Sequence, residues 1–386
     1  MGGAAPKVRG CSRAGAPRLT TLFLAGDVMT GRGIDQVLPH PSDPALCESY
    51  VRDARDYIDL AERANGPIER PVDFPYVWGA ALAELDAVAP DARIINLETS
   101  VTRSPDFWPS KGIHYRMNPR NIGCLTAARI DCCTLANNHV LDFGYAGLIE
   151  TLETLGRAHL RFAGAGRDAE EAAGPASIDL GERGRILVFA CGSTSSGIPH
   201  EWGASAARAG IDLLPDLSET TASRLSARIL QSKRDGDLVV LSVHWGPNWG
   251  FSVARDERTF AHAVIDSGAV DVVYGHSAHH AKGIELYRGR PILYGCGDFL
   301  NDYEGISGYE RYRGDLVAMY FIEMGARDGG VATLRIVPLQ IRRFSLTRPA
   351  RVDAEWLCRT IEHASPSLDG RFELAGDNSI TLRAPL

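Results

Sequence analysis

Short apolar runs alternate with longer amphipathic stretches over most of the chain, and the apolar runs predict β-strands. Their lengths and bounding polar residues are typical of buried strands. The predicted strands are 22–25, 92–96, 132–135, 186–190, 238–243, 270–274 and 291–294. Stretches between several of them predict helices at 77–89, 145–158, 221–232 and 258–267. Strands that alternate with helices predict an α/β fold built in layers.

The pattern changes after Tyr303. Two closely spaced apolar segments, 316–323 and 332–341, are joined through Asp328-Gly329-Gly330 and predict a β-hairpin that closes the sheet. Residues 351–386 have the appearance of a terminal extension.

Composition and charge narrow the class of protein. The 386 residues are 45% hydrophobic and 23% charged, as expected for one large α/β domain or two modest ones. The formal net charge of −7 argues against nucleic acid or an anionic membrane as the main partner. The eight cysteines include the adjacent Cys132 and Cys133 but no Cys-x-x-Cys spacing, which predicts buried thiols in a reducing compartment.

The N-terminus resembles a signal peptide only superficially. Basic residues between Lys7 and Arg18 precede the apolar segment 22–25, but this segment is short and leads directly into Gly26-Asp27. We interpret it as the first strand. No stretch of the sequence approaches the roughly 20 apolar residues that span a bilayer, so we expect a cytoplasmic protein.

Five short polar motifs follow apolar runs, and together they predict a divalent metal site. They are Gly26-Asp27-Val28-Met29, Asn96-Leu97-Glu98, Ala136-Asn137-Asn138-His139, Val243-His244-Trp245-Gly246 and Gly275-His276-Ser277-Ala278-His279-His280. Strands deliver such motifs to one edge of a sheet, where open α/β folds build active sites. Their carboxylates, amide oxygens and imidazoles suit Mn, Ca, Zn or Fe without choosing among these metals.

Most of the motifs, taken singly, also have a structural explanation. Asp27 and the two asparagines suit turns, and a lone His244 would most simply be a core residue. Glu98 is harder to explain in this way, because a charged group after an apolar strand is costly to bury without a cation or a donor. The five motifs together favour a functional site.

The order of these motifs resembles the CapA-like proteins, a family named for poly-γ-glutamate capsule synthesis and similar in fold to calcineurin-type metallophosphoesterases. The resemblance covers roughly residues 22–341 and implies a four-layer α/β/β/α sandwich. It also implies a leaving-group acid at His139, a bridging carboxylate at Glu98, and metal ligands at Asp27, Glu98, Asn138, His244, His276 and His279. We accordingly expect a disordered tail over 1–19, a CapA-like metal-dependent catalytic domain over 20–345, and a C-terminal extension over 346–386 packed on that domain.

Two departures from the pattern bear on function. Metallophosphoesterases usually begin with Asp-x-His, whereas this chain has Asp27-Val28-Met29, and a thioether adds little for a hard or borderline cation. We therefore expect one metal ion rather than a two-metal clamp. Asp298 stands where the family usually has asparagine, which adds negative charge near the site.

The remaining acid/base groups favour a peptide epimerase. His139 with Asp142, and His279 or His280 with Asp27 or Asp298, suit two pairs in which a carboxylate orients an imidazole. Two such pairs would remove a proton from a carbon and return it from the other side. The family includes a peptide epimerase that acts on the C-terminal residue of a lasso-peptide precursor. The catalytic residues of this hypothesis are His139, Asp142, His279 and Asp27.

Two alternatives stay open beside the epimerase. One is a metal-dependent hydrolase of phosphoesters or of amides such as polyglutamate, and the other is a polyglutamate-binding component of capsule assembly. The expected partner is a peptide with a free carboxylate. Basic residues suited to grip a carboxylate or phosphate are Arg32, Lys111 and Arg116. Trp245, with Trp108 and Trp249, is expected to form an aromatic wall beside the metal.

Overall fold

The computed structural model describes residues 19–325, 330–368 and 371–382. Residues 1–18 of the expected tail, and Asp328 and Gly329 of the expected hairpin turn, lie outside this range. The strands are β1 (Thr20–Val28), β2 (Ala92–Leu97), β3 (Ser100–Val101), β4 (Arg116–Met117), β5 (Cys132–Thr134), β6 (Arg161–Ala163), β7 (Ala165–Gly166), β8 (Ala176–Asp179), β9 (Arg185–Ser193), β10 (Gly210–Ile211), β11 (Leu213–Leu214), β12 (Leu238–His244), β13 (Val272–His276), β14 (Ile284–Tyr287), β15 (Arg290–Leu293), β16 (Asp298–Leu300), β17 (Leu316–Met324), β18 (Val331–Arg342), β19 (Ser345–Thr347), β20 (Phe372–Leu374) and β21 (Ile380–Leu382). The α-helices are α1 (Arg32–Val37), α2 (Arg55–Asn65), α3 (Ala80–Val88), α4 (Gly123–Ala127), α5 (Gly144–Arg157), α6 (Ala169–Ala173), α7 (Glu219–Ser232), α8 (Arg255–Asp266) and α9 (Arg351–His363).

Most of the described strands belong to two sheets. The larger sheet has the order β20-β21-β18-β17-β1-β2-β5-β6, with β16 beside β1 and β19 beside β18. The smaller sheet has the order β11-β9-β12-β13-β15-β14, with β8 beside β9. The mixed α/β class expected from the sequence is confirmed. Its finer description as a metallophosphoesterase-type sandwich stays a prediction.

The buried side chains of β12 show how the smaller sheet is packed. Val240 belongs to the large apolar cluster that includes the residues of β1. Val239, Leu241 and Val243 belong to a second cluster, with apolar residues of α7 and α8. Because successive side chains of a strand point to opposite faces, β12 has one face toward these helices and the other toward the core that it shares with the larger sheet.

Parallel pairing brings the carboxyl ends of several strands together. β12 and β13 are parallel, with His244 opposite His276. β1 and β16 are also parallel, with Asp27 opposite Asp298. Gly26 permits this approach, because a β-carbon at that position would overlap the carbonyl of Gly297. The hydroxyl of Tyr274 on β13 donates to the carbonyl of Ala25 on β1, which links the two sheets beside these strand ends.

Each predicted strand and helix has a counterpart in the structure, with shifted ends. Ser218 caps α7 by accepting a hydrogen bond from the backbone of Thr221. The antiparallel pairing of β17 with β18 confirms the predicted hairpin strands. The sequence did not predict β16, which is only three residues long.

The C-terminal residues continue the larger sheet. After β19 comes α9, and then β20 and β21 pair with each other while β21 also pairs with β18. The cysteines of the described residues are free thiols. None of the helices in the described ranges has the length and apolar character needed to cross a membrane.

Candidate metal centre and acid/base residues

Asp27 lies near the end of β1 and is fully buried. Its Oδ1 atom accepts a hydrogen bond from Nδ2 of Asn96 at 2.8 Å and lies 2.8 Å from Nδ1 of His276. Burial alone would raise the pKa of Asp27, but the hydrogen bond and the charge of His276 hold this pKa well below its usual range. Asp27 is therefore a carboxylate at neutral pH.

Glu98 follows β2 and is also buried. Nδ2 of Asn96 donates to Oε2 of Glu98 at 3.2 Å, so one amide group holds both Asp27 and Glu98. Burial and the neighbouring charge of Asp27 raise the pKa of Glu98 well above its usual range. Two buried carboxylates that share one amide donor require a proton or a cation between them.

His244 completes a group of metal-ligating atoms with these two carboxylates. One ligand atom each from Asp27, Glu98 and His244 lie within 4.8 Å of one another. Nε2 of His244 lies 3.2 Å from Oδ1 of Asn138, and Nδ1 lies 3.9 Å from Oε2 of Glu98. Burial lowers the pKa of His244 to about 3, which leaves the neutral imidazole that binds metals.

Two buried ring nitrogens, one on His244 of this group and one on the stacked His276, are available to a metal. Among the described residues, Nδ1 of His244 and Nε2 of His276 have no hydrogen-bond partner. Buried polar atoms are normally satisfied, and an unpaired one calls for an explanation such as an ion. Imidazole, carboxylate and amide oxygen are suitable donors for a divalent metal. The residues therefore fit the metal ion that the resemblance implies.

A second group of ligand atoms shares Asp27. Atoms of Asp27, His279 and Asp298 also lie within 4.8 Å of one another. Nδ1 of His279 is 2.8 Å from Oδ1 of Asp298, and Oδ2 of Asp298 accepts a hydrogen bond from Asn301 at 2.8 Å. Burial opposes protonation of His279, but the charge of Asp298 raises the pKa of His279 above its usual value.

Among the pairings left open by the sequence, the structure brings His279 and Asp298 together. His280 lies elsewhere, with its Nε2 atom accepting a hydrogen bond from the backbone of Gly250 at 3.1 Å. Its ring packs against Phe251 and stacks on Tyr312. His280 therefore belongs to an aromatic cluster beside the site.

His139 and Asp142 form the first predicted pair. Nδ1 of His139 lies 2.7 Å from Oδ2 of Asp142, and Nε2 lies 3.7 Å from Oε1 of Glu98. Asp142 is fully buried, and the backbone N–H of Tyr115 also donates to it at 2.7 Å. Burial lowers the pKa of His139 to about 4, so this imidazole is neutral at pH 7 with a free nitrogen toward the carboxylates.

Three predicted substrate-binding cations are held within the protein. Nζ of Lys111 donates to Oδ1 of Asp142 and lies 3.0 Å from Nδ1 of His139. Arg32 is almost completely buried and pairs with Asp302 and Glu48. Arg116 donates to backbone carbonyls of Ser104 and Asp43, at 2.9 Å each. These contacts favour structural and positioning roles over capture of a substrate anion.

The expected aromatic wall is only partly present. Trp245 is 1% exposed, its Nε1 atom donates to the carbonyl of Tyr294, and its ring packs against Phe260 of α8. The placement of Trp245 beside the substrate is therefore corrected, since it belongs to the helix-side core. Trp108 packs against Trp202. Trp249 has the expected kind of position, with its ring 5.3 Å from that of His279.

A cleft of about 640 Å³ adjoins the His279 side of the centre. Its lining includes Asn248, Trp249, His279, Tyr303 and Tyr309. Trp249 and Tyr309 stack with their ring centres 4.2 Å apart. A cleft of this size, with aromatic walls and a few polar groups, is typical of a small-molecule or peptide site.

Sequence reasoning missed several residues that hold the centre in place. Asn96 was seen only as part of a motif, although its amide joins Asp27 to Glu98. Tyr115 places its ring edge-on to His139 at 4.6 Å and donates its hydroxyl to that of Tyr303 at 2.8 Å. Asn96 carried a usable signal as a polar residue within an apolar strand, whereas the role of Tyr115 depends on distant contacts.

Comparison with known proteins identifies relatives over most of the chain. A family model described as bacterial capsule synthesis protein PGA_cap matches residues 21–303. A probable polyglutamine synthesis accessory protein of Mycobacterium tuberculosis is 45% identical over 95% of this chain and 96% of its own length. The capsule biosynthesis protein CapA of Bacillus anthracis is 23% identical over 84% of this chain and 68% of its own. The PGA biosynthesis protein CapA of Bacillus subtilis is 27% identical over 82% and 70%, respectively.

Proposed function

Because the chain belongs to the bacterial capsule synthesis protein PGA_cap family, we propose that it is a metal-dependent hydrolase that cleaves amide bonds in a polyglutamine-type chain. The name of the M. tuberculosis relative, which aligns over nearly the whole chain, suggests this class of polymer. The observation that carries the proposal is the position of His139, whose Nε2 atom faces the buried carboxylates while Asp142 holds Nδ1.

The chain's own residues suit proton transfer during hydrolysis. A divalent ion bound by Asp27, Glu98 and His244 would polarise the scissile carbonyl. His139 takes a proton from the attacking water at Nε2 and passes it to the departing nitrogen, while Asp142 keeps the other proton on Nδ1. The C–O bond forms first, and the C–N bond breaks once the nitrogen is protonated, so water supplies a hydroxyl to the acyl product and a proton to the amine.

The cations around the site favour an amide over a phosphoester. Cationic side chains with available donors are common partners of a phosphate dianion, in addition to any metal ion. Here Lys111 and Arg32 are bonded to carboxylates of the protein, and Arg116 is bonded to backbone carbonyls. A neutral amide makes no such demand for charge.

Peptide epimerisation is the second candidate, favoured by a separate observation. His279 and Asp298 form a second carboxylate-oriented imidazole, with 2.8 Å between the two atoms. Together with His139 and Asp142 this gives two acid/base pairs, one beside Glu98 and one beside Asp27. Two pairs of this kind suit removal and return of a Cα proton in a peptide with a free carboxylate.

One experiment separates the two reactions. Metal-loaded protein is incubated with a glutamine oligomer in D2O, the amide deuterium is exchanged back in H2O, and the peptides are analysed by mass spectrometry. Hydrolysis yields shorter oligomers, whereas epimerisation yields intact oligomers that retain deuterium at carbon. The His139→Ala variant is the control and should lose either activity. An oligomer that is neither shortened nor labelled by the wild-type protein would rule out both reactions on this substrate.

A further inference from the structure

The first motif, Gly26-Asp27-Val28-Met29, lacks the histidine that metallophosphoesterases usually have two residues after the aspartate. We infer that Asp298 replaces the ligand that Met29 does not supply, so that a second divalent cation binds between Asp27, Asp298 and His279. This inference deepens the proposed hydrolase and rests on it, since two neighbouring ions would activate the attacking water and polarise the amide carbonyl.

The backbone fixes Asp298 beside Asp27. The two residues lie opposite each other on the parallel strands β1 and β16. The backbone N–H of Asp27 also donates to the carbonyl of Gly297 at 2.8 Å. Sheet pairing rather than a flexible loop therefore sets the separation of the two carboxylates, and a site on regular elements is positioned most accurately.

His279 completes the position as a nitrogen donor. Its Nδ1 atom lies 2.8 Å from Oδ1 of Asp298, and both residues are nearly inaccessible to solvent. Atoms of Asp27, Asp298 and His279 fall within 4.8 Å of one another. Two carboxylates and an imidazole are a common donor set for Zn²⁺ or Mn²⁺.

Met29 does not compete for this role. Its side chain is fully buried, and its sulfur accepts a contact from the hydroxyl of Tyr303 at 3.6 Å. A thioether is a poor ligand for a cation that carboxylates bind. Met29, two residues after Asp27, therefore has a packing role. The ligand that it does not supply is assigned to Asp298 on β16.

The carboxylates of the two ligand groups are buried among imidazoles. Asp27, Glu98 and Asp298 are each at most 2% exposed. In the described part of the chain, the basic groups within ion-pair distance of these three carboxylates are the imidazoles of His139, His244, His276 and His279. Buried carboxylates require a compensating cation or proton, and divalent ions bound between them would supply that charge.

An independent feature indicates that the same cluster binds cations. Nδ1 of His244 is buried and lies 3.9 Å from Oε2 of Glu98. Within the described ranges this nitrogen has no hydrogen-bond partner. An ion at that group would be held by Asp27, Glu98 and His244, so Asp27 belongs to both candidate positions.

The test counts ions in the absence of substrate. The full chain is stripped with chelator, loaded with Mn²⁺, desalted and analysed by mass spectrometry of the metal, and the spin coupling of the Mn²⁺ pair is recorded by electron paramagnetic resonance. We expect two ions per wild-type chain with a coupled spectrum. Asp298→Asn should retain one ion with an uncoupled spectrum. Glu310→Gln, which removes an exposed carboxylate of the cleft, should retain two.

Two further variants distinguish the loss of a ligand from misfolding of the protein. His279→Asn removes another ligand of the same position and should also retain one ion. Adding Met29→His to Asp298→Asn should restore the second ion and the spin coupling. One ion in the wild type, or two in the folded Asp298→Asn protein, would overturn the inference. Two ions with no cleavage of peptide would preserve the inference and refute the proposed hydrolase.

Discussion

Asp142 holds Nδ1 of His139 at 2.7 Å and leaves Nε2 of that ring facing Glu98. Asp142 uses its other carboxylate oxygen for the ammonium group of Lys111. The imidazole thus has a fixed orientation and a fixed tautomer, with the acceptor nitrogen toward the site. The catalytic role that we propose for His139 depends on this orientation.

Replacement of Asp142 by asparagine should reduce turnover while the protein stays folded. An amide that donates to Nδ1 would move the ring proton to Nε2, so the base would lose its acceptor. We expect kcat to fall about 100- to 10,000-fold, the range of general acid/base catalysis. Cleavage of the glutamine oligomer measures the loss, and circular dichroism checks the fold. A variant with unchanged kcat would remove His139 from the mechanism.

Replacement of Arg32 by methionine should affect stability more than substrate binding. Arg32 pairs with the buried Glu48 and Asp302, and its guanidinium lies 3.9 Å from the ring centre of Tyr57. Loss of the cation leaves two buried carboxylates unpaired, which costs about 3–5 kcal/mol. Urea denaturation gives the change in the free energy of unfolding. Normal stability with a raised KM would instead restore Arg32 as a substrate-binding residue.

Trp245 and Trp249 should respond differently to alanine substitution. Trp245 is a core residue, and its replacement should cost about 3–5 kcal/mol of stability. Trp249 lines the cleft beside His279, so Trp249→Ala should raise KM with a smaller loss of stability. Thermal unfolding and steady-state kinetics of both variants provide the comparison. An unchanged KM in Trp249→Ala would argue against peptide binding in this cleft.

Asp216 should give α7 an acid-dependent contribution to stability. Hydrogen bonds from Ser218 and Thr221 lower the pKa of Asp216 to about 2, below its ordinary value of 3.8. Because the folded pKa lies below the unfolded pKa, the stabilisation is complete above about pH 4 and disappears as the pH falls through about 2. The urea midpoints of wild type and Asp216→Asn should therefore differ at pH 6 and approach each other toward pH 2. If the difference in urea midpoint is the same at pH 6 and near pH 2, the lowered pKa of Asp216 does not stabilise α7.

The sequence predicted the strands and the gathering of polar motifs because both follow from local patterns. The apolar run before His244 requires a buried strand, and parallel neighbours bring their carboxyl ends to one edge. Asp27 and Glu98 come together in this way at the ends of β1 and β2, and His244 joins them from β12 of the smaller sheet. The family resemblance then connected this cluster with metal binding.

The placements of Trp245 and Arg32 differ from the predictions because the fold determines the direction of one side chain and the partners of the other. His244 faces the metal-ligating group, so the next residue, Trp245, would continue the alternation of a strand toward the opposite face. That rule could have placed Trp245 in the core from the sequence. The engagement of Arg32 could not be predicted, because Asp302 lies far along the chain and reaches Arg32 only through the fold. The role inferred for Asp298 as a metal ligand depends on its register with Asp27, which only the structure gives.

The close approach of Gly26 to Gly297 has a consequence for biosynthesis. This approach joins β1 to β16, and β1 also pairs with β17. A ribosome that has released β1 must still make most of the protein before these partners emerge. The group of Asp27, His279 and Asp298 therefore cannot be complete before residue 298 has been synthesised. A chain truncated before Asp298 should fail to bind the second ion in equilibrium dialysis.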